Sequence, residues 1–304
     1  SNKGDVFFSN SGAESIEAAI KIARNYGSRF KKDEIIAMTS SFHGRTIGAL
    51  SLGSNKNYKS HIGPIPGKVK FCEFNNSRHL KKLINKRTVA IIIEFIQGDG
   101  GINICSKDFA KTIKEICKKR KILLIADEIQ GGVGRTGKIF AYKHYGVSPD
   151  IITSAKGLGS GIPIGATIVK KEISKNINIG FHGSTFGGGM LQTRVAYNVF
   201  RTINKSSFLK NVESKGILLS KLLNKLHLNY DCIKEVRIKG LMAGIEFKNS
   251  QIALKIYKET SNHGLVTTLV KGTTIRITPP LIIKIEELKK GIRIISNCLD
   301  KIKD

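Results

Sequence analysis

The chain has 304 residues, 40% hydrophobic and 24% charged, so it can bury a core and is not intrinsically disordered. Its formal net charge is +28, but the lysines are scattered and not interleaved with aromatic residues, so no nucleic-acid partner is predicted. No apolar run is long enough for a membrane span, and no apolar signal segment is recognised. The five cysteines are widely spaced without a CxxC pair, which predicts no metal site, no disulfide frame and a cytoplasmic location.

Short apolar runs alternate with helical patterns over the first two hundred residues, which is typical of an α/β fold. The predicted strands are Val6–Phe8, Ile35–Met38, Val89–Ile93, Ile122–Ala126, Ile151–Thr153 and Ala166–Val169. Helices are predicted at Glu14–Phe30 and at Ser106–Lys119, where Ser106 is the expected N-cap. Because residues 91–93 and 122–125 are continuously apolar, we expect a mostly parallel sheet covered by helices.

A long helical stretch follows Leu191, and the pattern changes after it. From Ile233 it predicts two strands (Ile233–Ile238 and Leu241–Phe247), a helix, two short strands and a closing helix at Ile285–Ile302. We therefore predict a large α/β domain over residues 1–205, and a linking helix with a smaller α+β domain over residues 206–304.

Two predicted strands are followed by residues whose side chains can take part in catalysis. One strand is followed by Asp127, and the strand at 151–153 is followed by Lys156 and a run of glycines. Because open α/β sheets bind ligands at the carboxyl ends of their strands, the acid and the lysine can face one crevice. The lysine suits a Schiff base, and the acid can keep a pyridinium nitrogen protonated, as pyridoxal phosphate requires. The alternative is a structural ion pair at the sheet edge.

Two further segments can complete such a site. The turn Ser11–Glu14 joins a strand to a helix and can bind phosphate through backbone N–H groups, or simply cap the helix. Within a second segment, Phe42 can stack on a planar cofactor, and Arg45 can bind a carboxylate through a bidentate pair of hydrogen bonds. His43 between them could equally be a packed core residue.

Seven motifs occur in a fixed order along the chain. They are Ser11–Glu14, Phe42–Thr46, Glu94–Gly101, Asp127–Gln130, Gly134–Gly137, Ala155–Gly159 and His182–Gly188. This set resembles the class III, fold-type I pyridoxal-phosphate aminotransferases over nearly the whole chain. Three stretches are most similar to the acetylornithine branch of that family: Val133–Gly137, Ala141–Asp150 and His182–Thr185. The resemblance implies a fold-type I α/β transferase with pyridoxal 5′-phosphate as its cofactor.

The resemblance also implies a role for each matching residue. Lys156 would hold the cofactor as a Schiff base and move the proton, and Asp127 would pair with the pyridine nitrogen. The implied cofactor-binding residues are Gly12, Ala13, Phe42, Asp127, Gln130, Lys156 and Thr185. The implied substrate-binding residues are Arg45, Glu94, Asp99, Ser184 and Arg276. Ser184 and Thr185 would act across the interface of a homodimer.

The implied reaction moves the terminal amine of N2-acetyl-L-ornithine to 2-oxoglutarate, giving N-acetyl-L-glutamate 5-semialdehyde and L-glutamate. This is a step of arginine biosynthesis, and succinyldiaminopimelate, of lysine biosynthesis, is a second implied donor. Ornithine and 4-aminobutyrate are the alternative amino donors. Because the chain starts at Ser1 and lacks about the first quarter of the family's length, an alternative of another class is an inactive basic fragment that only binds partners.

Four sites depart from the family pattern. Gly189-Met190 replaces Asn-Pro, Phe95 replaces Pro, Gly131 replaces a small hydroxyl residue and Asp99 replaces Glu. We expect the loop at 189–190 to be looser. Since Asp99 is one methylene shorter than glutamate, its implied ion pair with Arg276 is predicted to be longer or bridged by water, and weaker.

Overall fold

The structure, a computed structural model, describes residues 4–303. In chain order its strands are β1 (Gly4–Ser9), β2 (Glu34–Met38), β3 (Lys68–Cys72), β4 (Thr88–Ile93), β5 (Ile96–Gln97), β6 (Asn103–Ile104), β7 (Leu123–Asp127), β8 (Ile151–Ser154), β9 (Gly165–Lys170), β10 (Ile233–Lys239), β11 (Met242–Phe247), β12 (Thr268–Val270) and β13 (Thr274–Ile277). Its α-helices are α1 (Gly12–Ser28), α2 (Ile47–Ser51), α3 (Ser77–Leu83), α4 (Lys107–Arg120), α5 (Lys171–Ser174), α6 (Met190–Ile203), α7 (Ser206–Asn229), α8 (Ser250–Asn262) and α9 (Ile285–Lys303). Within this described range, no helix combines the length and apolar character that a membrane crossing requires.

The chain forms two compact units. The first contains the described residues up to Phe95 together with Cys105–Val133 and Phe140–Ile203. The second contains Ile96–Ile104, Gly134–Ile139 and the described residues from Asn204 onwards. Two short segments that lie early in the sequence therefore belong to the second unit. The predicted domain boundary between residues 205 and 206 stays a prediction.

The first unit is built on a seven-stranded sheet with the order β1-β9-β8-β7-β4-β2-β3. The five strands from β8 to β3 run parallel, whereas β9 is antiparallel to β8 and β1 is antiparallel to β9. Every residue of β2, β4 and β7 is buried, as expected for central parallel strands with both faces covered. The predicted α/β class with a mostly parallel sheet is confirmed.

Helix α1 shows how the local sequence sets these elements. Ser11 has an extended backbone, and its hydroxyl accepts a hydrogen bond from the Glu14 N–H, so it is the N-cap. The apolar side of the helix, including Ile16 and Ala19, packs into the core over the sheet. The helix ends at Ser28, earlier than predicted, because the chain folds back and Lys32 N–H donates to the Gly27 carbonyl. Ser106 caps α4 as predicted.

The edge strand β3 is absent from the predicted set. Lys68 and Lys70 interrupt its apolar residues. They form ion pairs with two acids at the start of the neighbouring strand β2: Lys68 with Asp33 at 2.9 Å and Lys70 with Glu34 at 3.1 Å. Charged residues are common on edge strands, where one side of the strand meets water. The strand therefore lacks the continuous apolar run by which the central strands are predicted.

The second unit contains an antiparallel sheet with the order β10-β11-β13-β12 and the short β5–β6 ladder. Its apolar core joins α7 and α9 to the sheet through residues such as Leu219, Ile245 and Ile295. The half-buried guanidinium of Arg135 donates to the carbonyls of Leu241 at 3.1 Å and Pro279 at 2.5 Å. Burial lowers the pKa of Arg135 to about 10. These bonds tie the segment Gly134–Ile139 into this unit.

Candidate functional site

A cavity of about 620 Å³ lies in the first unit, where β4, β7 and β8 end and α1 begins. This is the edge at which open α/β sheets bind ligands. The predicted site residues that line it are Gly12, Ala13, Phe42, Arg45, Glu94, Asp127, Gln130 and Lys156. The fold thus brings these eight residues, from five separate stretches of chain, to one place.

Asp127 is held in a fixed orientation at the end of β7. Its Oδ1 accepts a hydrogen bond from the Ile129 N–H at 3.0 Å, and its Oδ2 lies 2.6 Å from His43 Nδ1. The His43 side chain is fully buried, and its Nε2 has no hydrogen-bond partner among the described residues. Burial alone would lower the pKa of His43, but the hydrogen bond and charge of Asp127, with Glu94, raise it above its ordinary value. His43 therefore supports the carboxylate, a role that the sequence did not assign to it.

Glu94 and Phe42 are also linked. The buried Glu94 carboxylate accepts the Phe42 N–H at 2.9 Å, so it fixes the backbone that carries the aromatic ring. The Phe42 ring meets Tyr58 edge-on with centroids 6.1 Å apart. The exposed Arg45 guanidinium lies 4.2 Å from the Tyr58 ring centroid, which is a cation–π contact. Arg45 is therefore held at the mouth of the cavity by an aromatic residue that the sequence did not single out.

Lys156 directly follows the buried Ala155 at the end of β8 and begins a single 3₁₀ turn. Its φ is +42°, in the left-handed region that a residue with a side chain rarely adopts. Such a conformation costs about 1–3 kcal/mol and is concentrated at functional sites. Lys156 is thus held in a strained backbone conformation at a position that lines the cavity.

The N-terminus of α1 forms another part of the wall. Gly12 and Ala13 are its first two residues, and their N–H groups precede any carbonyl of the same helix that could accept from them. These N–H groups and the helix dipole attract an anion such as a phosphate. A Cβ on Gly12 would lie 3.0 Å from the Ile129 side chain, so the wall is closely packed here.

Ser184 and Thr185 are exposed residues that do not line this cavity. The Ser184 hydroxyl accepts hydrogen bonds from Asn10 Nδ2 at 3.1 Å and from the Gly187 N–H at 3.0 Å. Asn10 itself lines the cavity, so the segment runs along its border. The action of Ser184 and Thr185 across a subunit interface stays a prediction.

The departures from the family pattern have local explanations. Met190 starts α6, and the Gly189 carbonyl accepts from the N–H and hydroxyl of Thr193, so the helix begins without a proline; a looser loop there stays a prediction. The buried Phe95 ring stacks on Tyr145 with centroids 4.9 Å apart. A Cβ on Gly131 would lie 3.3 Å from the Ala141 Cβ, which leaves room for a small residue only.

Asp99 and Arg276 form a direct ion pair within the second unit. Arg276 Nη1 donates to Asp99 Oδ1 at 2.5 Å, so the prediction of a longer or water-bridged pair is wrong. Asp99 lies in the turn between β5 and β6, and Arg276 lies in β13. The path of the turn brings the shorter side chain up to the guanidinium, and the backbone thus makes up for the missing methylene.

Glu128, next to Asp127, is fully buried and has a structural role. Its two carboxylate oxygens accept the N–H groups of Ala141 and Tyr142 at 2.7 and 2.8 Å. Burial raises the pKa of Glu128 to about 8; the two backbone bonds oppose this increase and the charge of Asp127 adds to it. The side chain fastens the segment at 141–142 beneath the site.

We expect the free energy of unfolding to fall as the pH rises from about 4.5 to about 8, because Glu128 loses its proton over this range. The folded pKa lies above the unfolded value, so the native state binds more protons and loses free energy of unfolding over this window. Urea unfolding of the wild type and of Glu128→Gln at about pH 5 and about pH 9 measures this. The wild type should lose more stability than the variant, with the exposed Glu115→Gln as control. Parallel losses in all three proteins would contradict the prediction.

The fold and the cavity define an α/β enzyme whose sheet presents a lysine, a carboxylate and a helix N-terminus to one ligand. Residues 1–299 match the sequence profile of the class-III aminotransferases, and the chain belongs to that family.

Individual relatives agree with this assignment. The chain is 41% identical over 303 residues to an acetylornithine aminotransferase from Caldanaerobacter subterraneus, covering 99% of this chain and 77% of the relative. It is 40% identical over 301 residues to an acetylornithine/succinyldiaminopimelate aminotransferase from Buchnera aphidicola, covering 97% and 74%. The solved ornithine aminotransferase from Toxoplasma gondii, described with pyridoxal phosphate at its active site, superposes with a TM-score of 0.91 at 30% identity, covering 97% and 72%.

Class-III aminotransferases depend on pyridoxal phosphate and use small-molecule amino and keto substrates. The cavity fits this cofactor in its donor set. It offers an amine for the aldehyde (Lys156), a buried carboxylate for the ring nitrogen (Asp127), an aromatic face (Phe42) and the first N–H groups of α1 for the phosphate. The His43 contact that fixes Asp127 belongs to the same arrangement.

Proposed function

We propose that the protein transfers the terminal amine of N2-acetyl-L-ornithine to 2-oxoglutarate, giving N-acetyl-L-glutamate 5-semialdehyde and L-glutamate. The observation that carries this proposal is the 41% identity over 303 residues to an acetylornithine aminotransferase. Succinyldiaminopimelate is a second proposed donor, because a 40% identical relative is named for both substrates. The protein would then serve arginine and lysine biosynthesis in the cytoplasm. Residues 1–205 would form the cofactor domain and residues 206–304 the linking helix and small domain.

The proposed roles follow from what each side chain offers. When bound, pyridoxal phosphate supplies an aldehyde that reacts with amines and a ring that withdraws electrons from the reacting carbon. Lys156 would hold the cofactor and carry the proton that the substrate carbon loses and regains. Asp127, oriented by His43, would keep a proton on the ring nitrogen. The remaining cofactor contacts within one subunit would come from Gly12, Ala13, Phe42 and Gln130, and Thr185 would reach the cofactor of the neighbouring subunit.

The two substrate carboxylates would be bound by separate arginines. Arg45, held over Tyr58 at the mouth of the cavity, would bind the single carboxylate of acetylornithine and one of the two carboxylates of glutamate or 2-oxoglutarate. Arg276 would take the second carboxylate of glutamate or 2-oxoglutarate. Asp99, already paired with Arg276 at 2.5 Å, would mask that charge while acetylornithine is bound. Glu94, which lines the cavity, would contact the substrate in addition to fixing the Phe42 backbone.

A homodimer would complete the site with Ser184 and Thr185. These residues lie in an exposed segment, and several apolar side chains near them are also exposed: Phe186 is 73%, Met190 90% and Leu191 65% exposed. Apolar surface of this kind marks an interaction site. A second copy of the chain covering it would bring Ser184 and Thr185 towards the partner's cavity.

Ornithine is the alternative to both proposed donors, because the superposed solved structure is an ornithine aminotransferase; 4-aminobutyrate is a further alternative. We expect the cofactor-loaded protein to use acetylornithine with a kcat/KM at least about tenfold above that of ornithine or 4-aminobutyrate, since each donor presents a different group to the same pocket. The measurement is steady-state amine transfer to 2-oxoglutarate at matched donor concentrations. A preference for ornithine would overturn the acetylornithine assignment. Inactivity with every donor, together with tight nucleic-acid binding at physiological salt, would favour a basic binding protein.

A further inference from the structure

The turn that carries Asp99 is short and strongly shaped. It joins β5 to β6, whose residues pair in register, so residues 98–102 must reverse the chain. Gly101 has a φ of +97° and Ile102 a φ of +60°, both in the left-handed region. Asn103 Nδ2 braces the turn from within by donating to Gln97 Oε1 and to the Gly100 carbonyl, each at 2.9 Å.

The sheet of the second unit supports this turn through one row of residues. Arg237 in β10, Gly244 in β11 and Arg276 in β13 stand opposite one another in the strand register. Residues that pair directly across antiparallel strands project to the same face. A Cβ on Gly244 would lie 2.9 Å from the Ile102 side chain, so the turn occupies the space that this glycine leaves between the two arginines.

Each arginine of the row holds one part of the turn. Arg276 binds the Asp99 carboxylate, and Arg237 Nε donates to the Gly101 carbonyl at 2.8 Å. Arg237 is only 12% exposed at its side chain, and its Nη1 is oriented by Glu246 at 2.7 Å and by Glu235. Two carboxylates thus aim the guanidinium, and its remaining edge faces the turn.

We propose that Arg237 is a positioning residue for substrate discrimination: by holding the Gly101 carbonyl, it fixes the turn that presents Asp99 to Arg276. This rests on the proposed function, in which Arg276 binds the second carboxylate of glutamate and Asp99 masks it for acetylornithine. Lysine could not replace Arg237, because one ammonium lacks the rigid fork that reaches two carboxylates and a carbonyl from different sides.

A merely structural role would consist of neutralising Glu246 and Glu235. Lys234 provides a matched control for that role. Its Nζ contacts Glu246 Oε1 at 2.8 Å, but no contact to the turn is among its described interactions. Lys234→Gln removes a cation from the same acid and leaves the Gly101 carbonyl with its donor.

The first test is kinetic and uses the cofactor-loaded full chain. We expect Arg237→Gln to raise the ratio of kcat/KM for glutamate to that for acetylornithine by about two- to fivefold, the range of a partly exposed ion pair. Arg237→Lys, which keeps the charge and is the milder change for folding, should shift the ratio in the same direction. Asp99→Asn should do so as well, and adding Arg237→Gln to it should change the ratio no further. Lys234→Gln should leave the ratio unchanged.

The second test does not depend on the substrate. Hydrogen exchange of the amides at 98–103 should be faster in both Arg237 variants than in the wild type and in Lys234→Gln. Unchanged exchange in the Arg237 variants overturns the proposal. If Asp99→Asn shifts the kinetic ratio and the Arg237 variants do not, the role of Arg237 is wrong and the proposed function stands. If exchange quickens but Asp99→Asn leaves the ratio unchanged, the proposed masking by Asp99 fails, and discrimination through Arg237 fails with it.

Discussion

Replacing Lys156 with alanine is expected to lower kcat by at least about a thousandfold, because both the covalent hold on the cofactor and the proton carrier are removed. Lys156 is the lysine on the cavity wall, at the end of β8. Single-turnover amine transfer measures the rate. Borohydride treatment of the wild type should attach the cofactor irreversibly to the peptide that contains Lys156, and mass spectrometry should find no such adduct in the variant.

Lys121→Ala is the matched control for this substitution. Lys121 also has a left-handed backbone, with a φ of +50°, but it is the C-cap residue that follows α4 and does not line the cavity. The control therefore reproduces the change of residue type in a strained conformation without touching the site. A Lys156→Ala protein that turns over at the wild-type rate would show that the covalent route is unnecessary.

Asp127→Asn is expected to reduce kcat by roughly a hundredfold or more, because a neutral amide does not stabilise a proton on the ring nitrogen. The same change removes the charge that raises the pKa of His43. The pH dependence of the bound cofactor's absorbance should therefore change along with kcat. His43→Asn should have a smaller effect on kcat, since it loosens the carboxylate without removing its charge.

Asp150→Asn serves as the control for the loss of an aspartate in the same sheet. Asp150 precedes β8 at the opposite end from Lys156, where it pairs with Lys170 at 2.7 Å and accepts the Leu124 N–H at 2.9 Å. This variant should retain kcat even where it lowers stability. Equal kcat values for Asp127→Asn and the wild type would rule out Asp127 as the partner of the ring nitrogen.

The elements of the large sheet could be predicted because central parallel strands have a simple signature. Buried on both faces, β4 and β7 contain unbroken apolar runs, at residues 89–93 and 123–126, which are typical of a covered parallel sheet. The edge strand β3 lacks this signature because its lysines reach water and neighbouring acids. The prediction therefore succeeds for these central strands and fails for β3.

The site could be predicted for residues that directly follow strands, and less well elsewhere. Asp127 and Lys156 come together because their strands are adjacent and parallel. The partner of Asp127, His43, is 84 residues away and comes from a loop, so no local pattern indicates the pair. The sequence mispredicts the Asp99–Arg276 distance for a related reason: it specifies the length of each side chain but not the path of the turn.

The second unit is assembled from separate stretches of the sequence, and this affects how it folds during synthesis. Its bonds join residues far apart in sequence: 106 and 144 positions separate Arg135 from its two acceptors, and 136 separate Gly101 from Arg237. On a ribosome, Arg135 and Gly101 emerge long before these partners, while the strands of the large sheet up to β9 are completed first. The second unit cannot finish folding until Pro279 and the core helix α9 have been synthesised, and such non-local closure is slow. A nascent chain released near residue 203 would leave the Arg135 guanidinium without its two carbonyl acceptors, Leu241 and Pro279.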